Sequence, residues 1–328
     1  MKYPQFMKKG STIGITAPSA GILDKIESYE RSIQQLNAHG FLCVETENVR
    51  SSGFVSSDKS QRAKQVMELY HNEDVQAIIC ATGGDFLNEI LPEIDYELIK
   101  ANPKWIQGYS DPTSLLYSIL VNCDQGTIYG PNAGGFDMNS LHSSLEDNLE
   151  ILKGNIVDQS SFDNYQSGWK EDGEEYFLDS PVYWETKEDN LQIEGRMIGG
   201  CMDCLGSIIG TPYDGTRAFV EKYKNDGFIW YFDIFSMKAE DVARELWHMK
   251  EAGWFENIKG VIVGRVRFPE SFLELSYPEA FERILGNVPM VFQADIGHVK
   301  PSMTIINGSI GQLKVCNGKA KLKMKLVE

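Results

Sequence analysis

A serine set between an apolar run and a helix-like run is the first place in this chain where chemistry could sit. Gly108-Tyr109-Ser110-Asp111 follows Trp105-Ile106-Gln107 and precedes the helix-like residues 112–120. A sharp strand-to-helix turn thrusts such a serine clear of its sheet, and the first amides of the helix face whatever the serine attacks. The spelling departs from G-x-S-x-G, and a plain helix cap is the competing reading of the same residues.

A serine nucleophile needs a base, and the base needs a group to orient it. The histidines are His39, His71, His142, His248 and His298. The first four read as capping or solvated residues. His298 follows Gly297 just after an apolar strand and precedes Lys300-Pro301, a setting in which a rigid loop holds a general base. Asp233 ends residues 228–232, the most apolar strand of the second half. A carboxylate there must be paired or neutralised. An N–H of His298 would pair it, and so would Arg265 or Arg267. With the first partner, Ser110, Asp233 and His298 form a triad in the chain order nucleophile, acid, base.

The elements that must hold these residues follow from periodicity. Strands are expected over 12–17, 41–44, 75–81 and 105–107. Helices are expected over 26–39, over 57–70 with Ser57 as cap, from 86 to 91, and after Ser110. This βαβα rhythm predicts a parallel sheet covered by helices on both faces, with ligands bound beyond the carboxyl ends of its strands. Pro18-Ser19, Gly83-Gly84 and Ser110 all fall at such ends. Strands over 193–198, 228–233, 260–264 and 288–292, a helix over 241–252 and an alternating hairpin over 312–327 predict a second, smaller, strand-rich α/β domain. Residues 158–192 are polar, acidic and aromatic without a period. They read as a loop between domains, with Trp169, Tyr176, Phe177, Tyr183 and Trp184 as candidate ligand contacts. The expected division is 1–160 carrying the nucleophile, 161–192 as interdomain loop, and 193–328 carrying acid and base.

Bulk properties bound the function. The 328 residues carry a formal net charge of −16, which argues against a nucleic-acid backbone or an anionic membrane as main partner. No apolar run approaches the ~18–20 residues that cross a bilayer. Residues 1–10 lack the apolar core of a signal peptide, so a cytoplasmic protein is expected. Most of the six cysteines sit in apolar runs and read as buried thiols. Cys201-Met202-Asp203-Cys204 has CxxC spacing, but no second pair completes a zinc site. A thioredoxin-like pair should open a helix after a strand, and the preceding Gly199-Gly200 argues against that setting. Neither a metal, nor another cofactor, nor a redox role is expected.

Several spaced motifs together resemble the LD-carboxypeptidase family of serine peptidases, and within it the branch of the microcin C immunity peptidases. They are Gly10-Ser11-Thr12-Ile13-Gly14-Ile15 with Ala17-Pro18-Ser19; Ala81-Thr82-Gly83-Gly84-Asp85 with Asn88-Glu89-Ile90-Leu91-Pro92 and Asp95-Tyr96; Gly108 to Thr113; Gly195 to Gly200 with Gly210-Thr211-Pro212-Tyr213; and Gly297-His298 with Asn307-Gly308. The resemblance spans nearly the whole chain and is weakest over 158–192. It implies a flavodoxin-like or class I amidotransferase-like first domain, a homodimer, and a Ser-Glu-His triad. Ser110 and His298 match its nucleophile and base. Asp233 falls on the acid position, one methylene shorter than the family's glutamate, and Ile234 stands where a further acidic residue is usual. Backbone amides of Asp85 and Asp111 would form the oxyanion hole, with Gly84 allowing close approach to substrate. Arg196 is a candidate partner for a substrate carboxylate.

The family implies cleavage at a D-amino acid in peptidoglycan-derived peptides, in cell-wall recycling. The microcin branch implies cleavage between an acyl amino acid and a nucleotide-like amine, an aromatic loop residue such as Trp184 or Trp169 stacking on the base. The exchange of glutamate for Asp233 motivates a third reading, a ligand-binding homologue without turnover.

Overall fold

The computed structural model describes residues 1–168 and 175–328; Trp169 lies outside them. Two sheets organise the chain. In the first, Thr127–Tyr129, Trp105–Gly108, Val75–Cys80, Thr12–Thr16 and Leu42–Glu45 run parallel in that spatial order. Ile305–Asn307 adds an antiparallel edge beside Thr127–Tyr129. The order of the five parallel strands is that of a flavodoxin-like sheet, with the topological switch between the first and third strands in sequence. The turns after those two strands, Ala17-Pro18-Ser19 and Thr82-Gly83-Gly84, therefore flank the crevice where the fold binds ligands.

In the second sheet Asn190–Cys201, Phe228–Asp233, Ile258–Gly264 and Met290–Ala294 are parallel. The hairpin Ile310–Cys316 and Lys319–Lys325 extends it antiparallel, and Gln159–Ser160 and Glu185–Thr186 close its edges. Asn190–Cys201 is longer than expected because its first residues pair with the hairpin, where hydrophobic periodicity is weak. Phe228–Asp233 is buried at every position, which explains its continuous apolar run. The hairpin alternates buried with more exposed residues.

Two local expectations are corrected. The helix Lys59–His71 is capped by Asp58, whose side chain accepts from the Gln61 N–H, and not by Ser57. Residues 87–93 form a 3-10 segment rather than an α-helix, since Pro92 lacks an N–H to continue one. The stretch read as a loop over 158–192 is also more structured than its sequence suggests. It contains short strands at Asn164–Tyr165 and Ser180–Pro181 in addition to the two sheet edges.

Within that stretch Trp184 is fully buried, and its indole Nε1 donates to Asp295 Oδ2 at 3.0 Å. Asp295 also faces Arg265 at 2.6 Å, both side chains being almost wholly enclosed. Burial pushes the Asp295 carboxyl up, and the Arg265 charge works against that. Truncating one partner strands a buried charge. Arg265→Leu is expected to cost about 3–5 kcal/mol, read as a lower midpoint in urea unfolding. An unchanged midpoint would show that the pair contributes nothing.

Candidate active site

Ser110 sits two residues after the strand Trp105–Gly108, next to Tyr109, with φ +67. Left-handed backbone is unfavourable for a non-glycine residue and marks a turn held by its surroundings. The helix that follows is Thr113–Cys123; Pro112 stands at its cap position, and no side chain caps it. Ser110 is thus not the helix cap that its type alone suggests. Its carbonyl accepts from the Thr113 N–H at 2.9 Å, closing the turn. The Asn132 side chain clamps the preceding residue, accepting from the Tyr109 N–H at 3.2 Å and donating to its carbonyl at 3.4 Å.

Asp111 is nearly buried, and its Oδ2 accepts from the Ser19 hydroxyl and from the Leu87 N–H. One carboxylate therefore ties the serine turn to both loops at the switch point. Burial raises its pKa, while these donors act in the opposite direction. The side chain at 111 carries more structural weight than its backbone amide alone implies. Gly83 lies against the serine: a Cβ there would stand 3.1 Å from Ser110 Oγ and 4.0 Å from the Asp111 amide nitrogen. At Gly84, with φ +151, a Cβ would collide with Ser19 Oγ at 2.2 Å.

The second sheet supplies the other two residues. Asp233 is the last residue of its strand and has no exposed surface. Its Oδ2 lies 2.6 Å from His298 Nδ1, an ion-pair approach without the alignment of a full hydrogen bond. Its Oδ1 accepts from the His298 backbone N–H at 3.2 Å. The intervening turn must be tight, and Gly297 makes it so, with φ +100 and room for no side chain: a Cβ would sit 2.0 Å from Asp233 Oδ1. The shorter carboxylate does reach the histidine. Arg265 and Arg267, the competing partners, go elsewhere: Arg265 to Asp295, and Arg267 Nη1 to the Gly168 carbonyl at 2.9 Å.

A further partner carries no sequence signal. The Tyr129 hydroxyl donates to Asp233 Oδ2 at 2.5 Å, from the end of a strand in the first sheet. Burial and the neighbouring carboxylate hold this phenol protonated. Phe235 and Tyr109 enclose the imidazole, with ring centroids 4.6 and 5.1 Å away.

Ser110, His298, Gly84 and Asp85 line one cavity of about 500 Å³, in the size range of small-molecule sites. Its charged walls are Lys25, Arg267 and Lys300 against Asp85 and Asp203. A smaller cavity of about 240 Å³ shares Lys25, Tyr109 and Lys300 and adds Tyr29, Tyr176 and Phe177. Two expected substrate contacts are not in either wall. Arg196 is 1% exposed; it pairs with Asp226 at 2.6 Å, donates to the Gly308 carbonyl and covers the Tyr223 ring. Its apolar neighbours and its position in the middle of a strand drew it inward. Trp184 is the core residue described above. The cationic walls come instead from Lys25, Arg267 and Lys300, whose convergence depends on distant loops.

Cys201, Asp233 and His298 are the one group among the described residues whose ligand atoms cluster within 4.8 Å. The Cys201 thiol is held well above its usual pKa by contact with Cys204 and by burial, which disfavours the thiolate that a metal needs.

The comparisons with known proteins agree with this architecture. The LD-carboxypeptidase N-terminal domain matches residues 13–130, and the LD-carboxypeptidase C-terminal domain matches 194–313. The Microcin C7 self-immunity protein MccF of Escherichia coli is 26% identical, over 90% of this chain and 88% of its own. A Bacillus subtilis protein named "Probable murein peptide carboxypeptidase" is 26% identical, over 93% of this chain and 89% of its own. The wild-type apo structure of MccF superposes with a TM-score of 0.83 at 23% identity, covering 99% of both chains. With matched models over both halves, the chain belongs to the LD-carboxypeptidase family of peptidases.

Proposed function

We propose that this chain is a serine peptidase that hydrolyses an amide through Ser110, Asp233 and His298, acting as an LD-carboxypeptidase on peptidoglycan-derived peptides. The observation that carries the reading is the 2.6 Å approach of Asp233 to His298 beside a serine held at φ +67 in the same cavity. His298 takes the Ser110 proton as the hydroxyl attacks the amide carbonyl, and Asp233 steadies the imidazolium. The backbone amides of Asp85 and Asp111 receive the oxyanion. His298 then protonates the leaving amine, and water, activated by the same base, releases the acyl group from Ser110.

The cavity walls bear on the substrate class. Lys25, Arg267 and Lys300 outnumber Asp85 and Asp203. In a chain of net charge −16, a locally cationic wall favours a substrate with a free carboxylate beside the scissile bond. The family name supplies the carboxypeptidase reading. A cytoplasmic homodimer working in cell-wall recycling fits it.

The aromatic walls of the smaller cavity favour a second reading, an amidase acting on aminoacyl-nucleotide compounds. Structures of MccF hold adenosine monophosphate and glutamyl sulfamoyl guanosine, and Tyr176 and Phe177 line the smaller cavity with aromatic surface for a base, while Tyr29 behind them is buried. Incubation with an LD-tetrapeptide and with a glutamyl sulfamoyl nucleoside, products read by mass spectrometry, separates the two. Release of the terminal D-amino acid alone supports the first reading, and cleavage of the nucleoside alone supports the second. Cleavage of neither, with no acylation of Ser110 by a serine-directed probe, overturns both in favour of a binding homologue.

The Tyr129 contact predicts a graded effect. Tyr129→Phe removes one hydrogen bond to a buried charge, worth about 1.5 kcal/mol. Turnover is expected to fall roughly tenfold with KM little changed. A KM effect without loss of kcat would mean that Tyr129 serves binding instead.

A further inference from the structure

Cys201 and Cys204 meet the structural condition for a dithiol pair that their sequence context argued against. Cys201 is the last residue of the strand Asn190–Cys201 and the cap position of the short helix Met202–Leu205, which carries Cys204. The two cysteines stand three residues apart at the head of one helical turn, and the Cys201 thiol donates to Asp203 Oδ2 at 3.8 Å, on the side chain between them. Both side chains line the cavity that holds Ser110 and His298. Cys204 is partly exposed and Cys201 buried, so an incoming oxidant meets Cys204 first.

The residue between them connects the pair to the catalytic base. Asp203 Oδ2 accepts from the Phe235 N–H at 2.9 Å, and Oδ1 accepts from the Ser236 N–H at 3.0 Å and its hydroxyl at 3.2 Å. These bonds hold the turn that follows Asp233. The Phe235 ring packs on His298 at 4.6 Å. Cys201 itself pairs in register with Asp233, and its N–H donates to Thr113 Oγ1 at 3.0 Å. Shortening the span from 201 to 204 therefore acts on Asp203, then on Phe235, then on the face of the imidazole.

We propose that Cys201 and Cys204 form a reversible disulfide that slows the enzyme, with a low-molecular-weight disulfide such as oxidised glutathione as oxidant. The Cys204 sulfur attacks the oxidant, forming a mixed disulfide and releasing one thiol. The Cys201 sulfur then attacks Cys204 of the mixed disulfide, its proton passing to the departing thiolate, so that the raised pKa of Cys201 makes this second step the slow one. Two protein thiols are oxidised, one disulfide is reduced to two thiols, and the two protons leave on those thiols. Reduction by a dithiol reverses both steps. The effect on turnover rests on the peptidase reading; formation of the bond does not.

The full chain, equilibrated with oxidised glutathione, is digested for peptide mapping and assayed in parallel. The expected result is a 201–204 disulfide, a mass loss of about 2 Da at that peptide, and a fall in turnover of roughly tenfold or more. Dithiothreitol should restore the rate. Cys204→Ser and Cys204→Ala, each compared with itself before oxidation, should keep their own rates. Absence of the 201–204 bond from the map overturns the inference whatever the turnover. A formed bond with unchanged turnover overturns its regulatory half. A reduced chain silent on both substrate classes overturns the peptidase reading instead, while the map still decides the pairing. Exposed Cys316 gains glutathione in a separate peptide and does not confuse the result.

Discussion

Ser110→Ala is expected to abolish hydrolysis while leaving the fold intact. The hydroxyl is the proposed nucleophile, so its loss removes the covalent route entirely. What remains is binding and the oxyanion amides, which in serine hydrolases leave a small residual rate. A loss of at least roughly 10⁴-fold in kcat is expected. Stability should change little, because Ser110 occupies left-handed backbone that alanine must adopt as well. Alanine keeps the same backbone demand, so it isolates the hydroxyl from the turn. Substrate affinity should survive, since Lys25, Arg267, Lys300 and the backbone amides are untouched. Single-turnover kinetics with the LD-tetrapeptide and a thermal melt together check this. Undiminished turnover in the variant would remove Ser110 from the mechanism. Lost turnover with a collapsed melting transition would show only that the turn needs its serine.

The candidate residues Ser110, Asp233 and His298 were legible because each ends or follows a strand whose apolar run has a sharp end. Apolar residues crowd toward the core, and a polar residue that ends the run marks the sheet edge where the fold places its crevice. Ser110, Asp233 and His298 all carry that mark. The helices near 26–39, 57–70 and 241–252 and the one after Ser110 were legible for the same reason, while the 3-10 character of 87–93, the helices Ser143–Leu152 and Tyr277–Leu285, and the caps were not. Asp58 rather than Ser57 caps its helix, a difference of one residue that composition cannot decide. Arg196 and Trp184 misled because type alone does not give direction. Arginine and tryptophan serve ligands and cores alike, and both are here enclosed among core residues and bonded to carboxylates. Tyr129 was invisible for a different reason. Its partner is 104 residues away in the other sheet, and nothing in a tyrosine at a strand end announces which carboxylate will stand opposite. The Cys201–Cys204 pair was discounted on its preceding glycines, yet the strand continues through Gly199 and Gly200 to Cys201.

The shorter acid yields the sharpest test of how this site works. Asp233→Asn keeps the shape of the side chain and removes its charge. The imidazolium that forms as Ser110 attacks would lose its counter-charge, and the amide could select the wrong tautomer of His298. A fall in kcat of roughly 10⁴-fold is expected, with KM nearly unchanged. Asp233→Glu asks the reverse question, since it restores the residue type that the family resemblance implies. The strand end has no spare room: Oδ2 already meets both Tyr129 and His298, and Oδ1 lies against Gly297. An added methylene must displace one of these contacts, and overpacking a buried site costs about 1–3 kcal/mol. Asp233→Glu is therefore expected to be less stable and slower than the parent by roughly 10- to 100-fold, not faster. Turnover equal to or above the parent would mean that the backbone yields freely to the longer acid. In that case the close turn at Gly297 would not be what lets aspartate serve here. Loss in Asp233→Asn together with loss in Asp233→Glu would instead show that charge and reach are both set by this turn, with Tyr129 and Gly297 fitted to the shorter carboxylate.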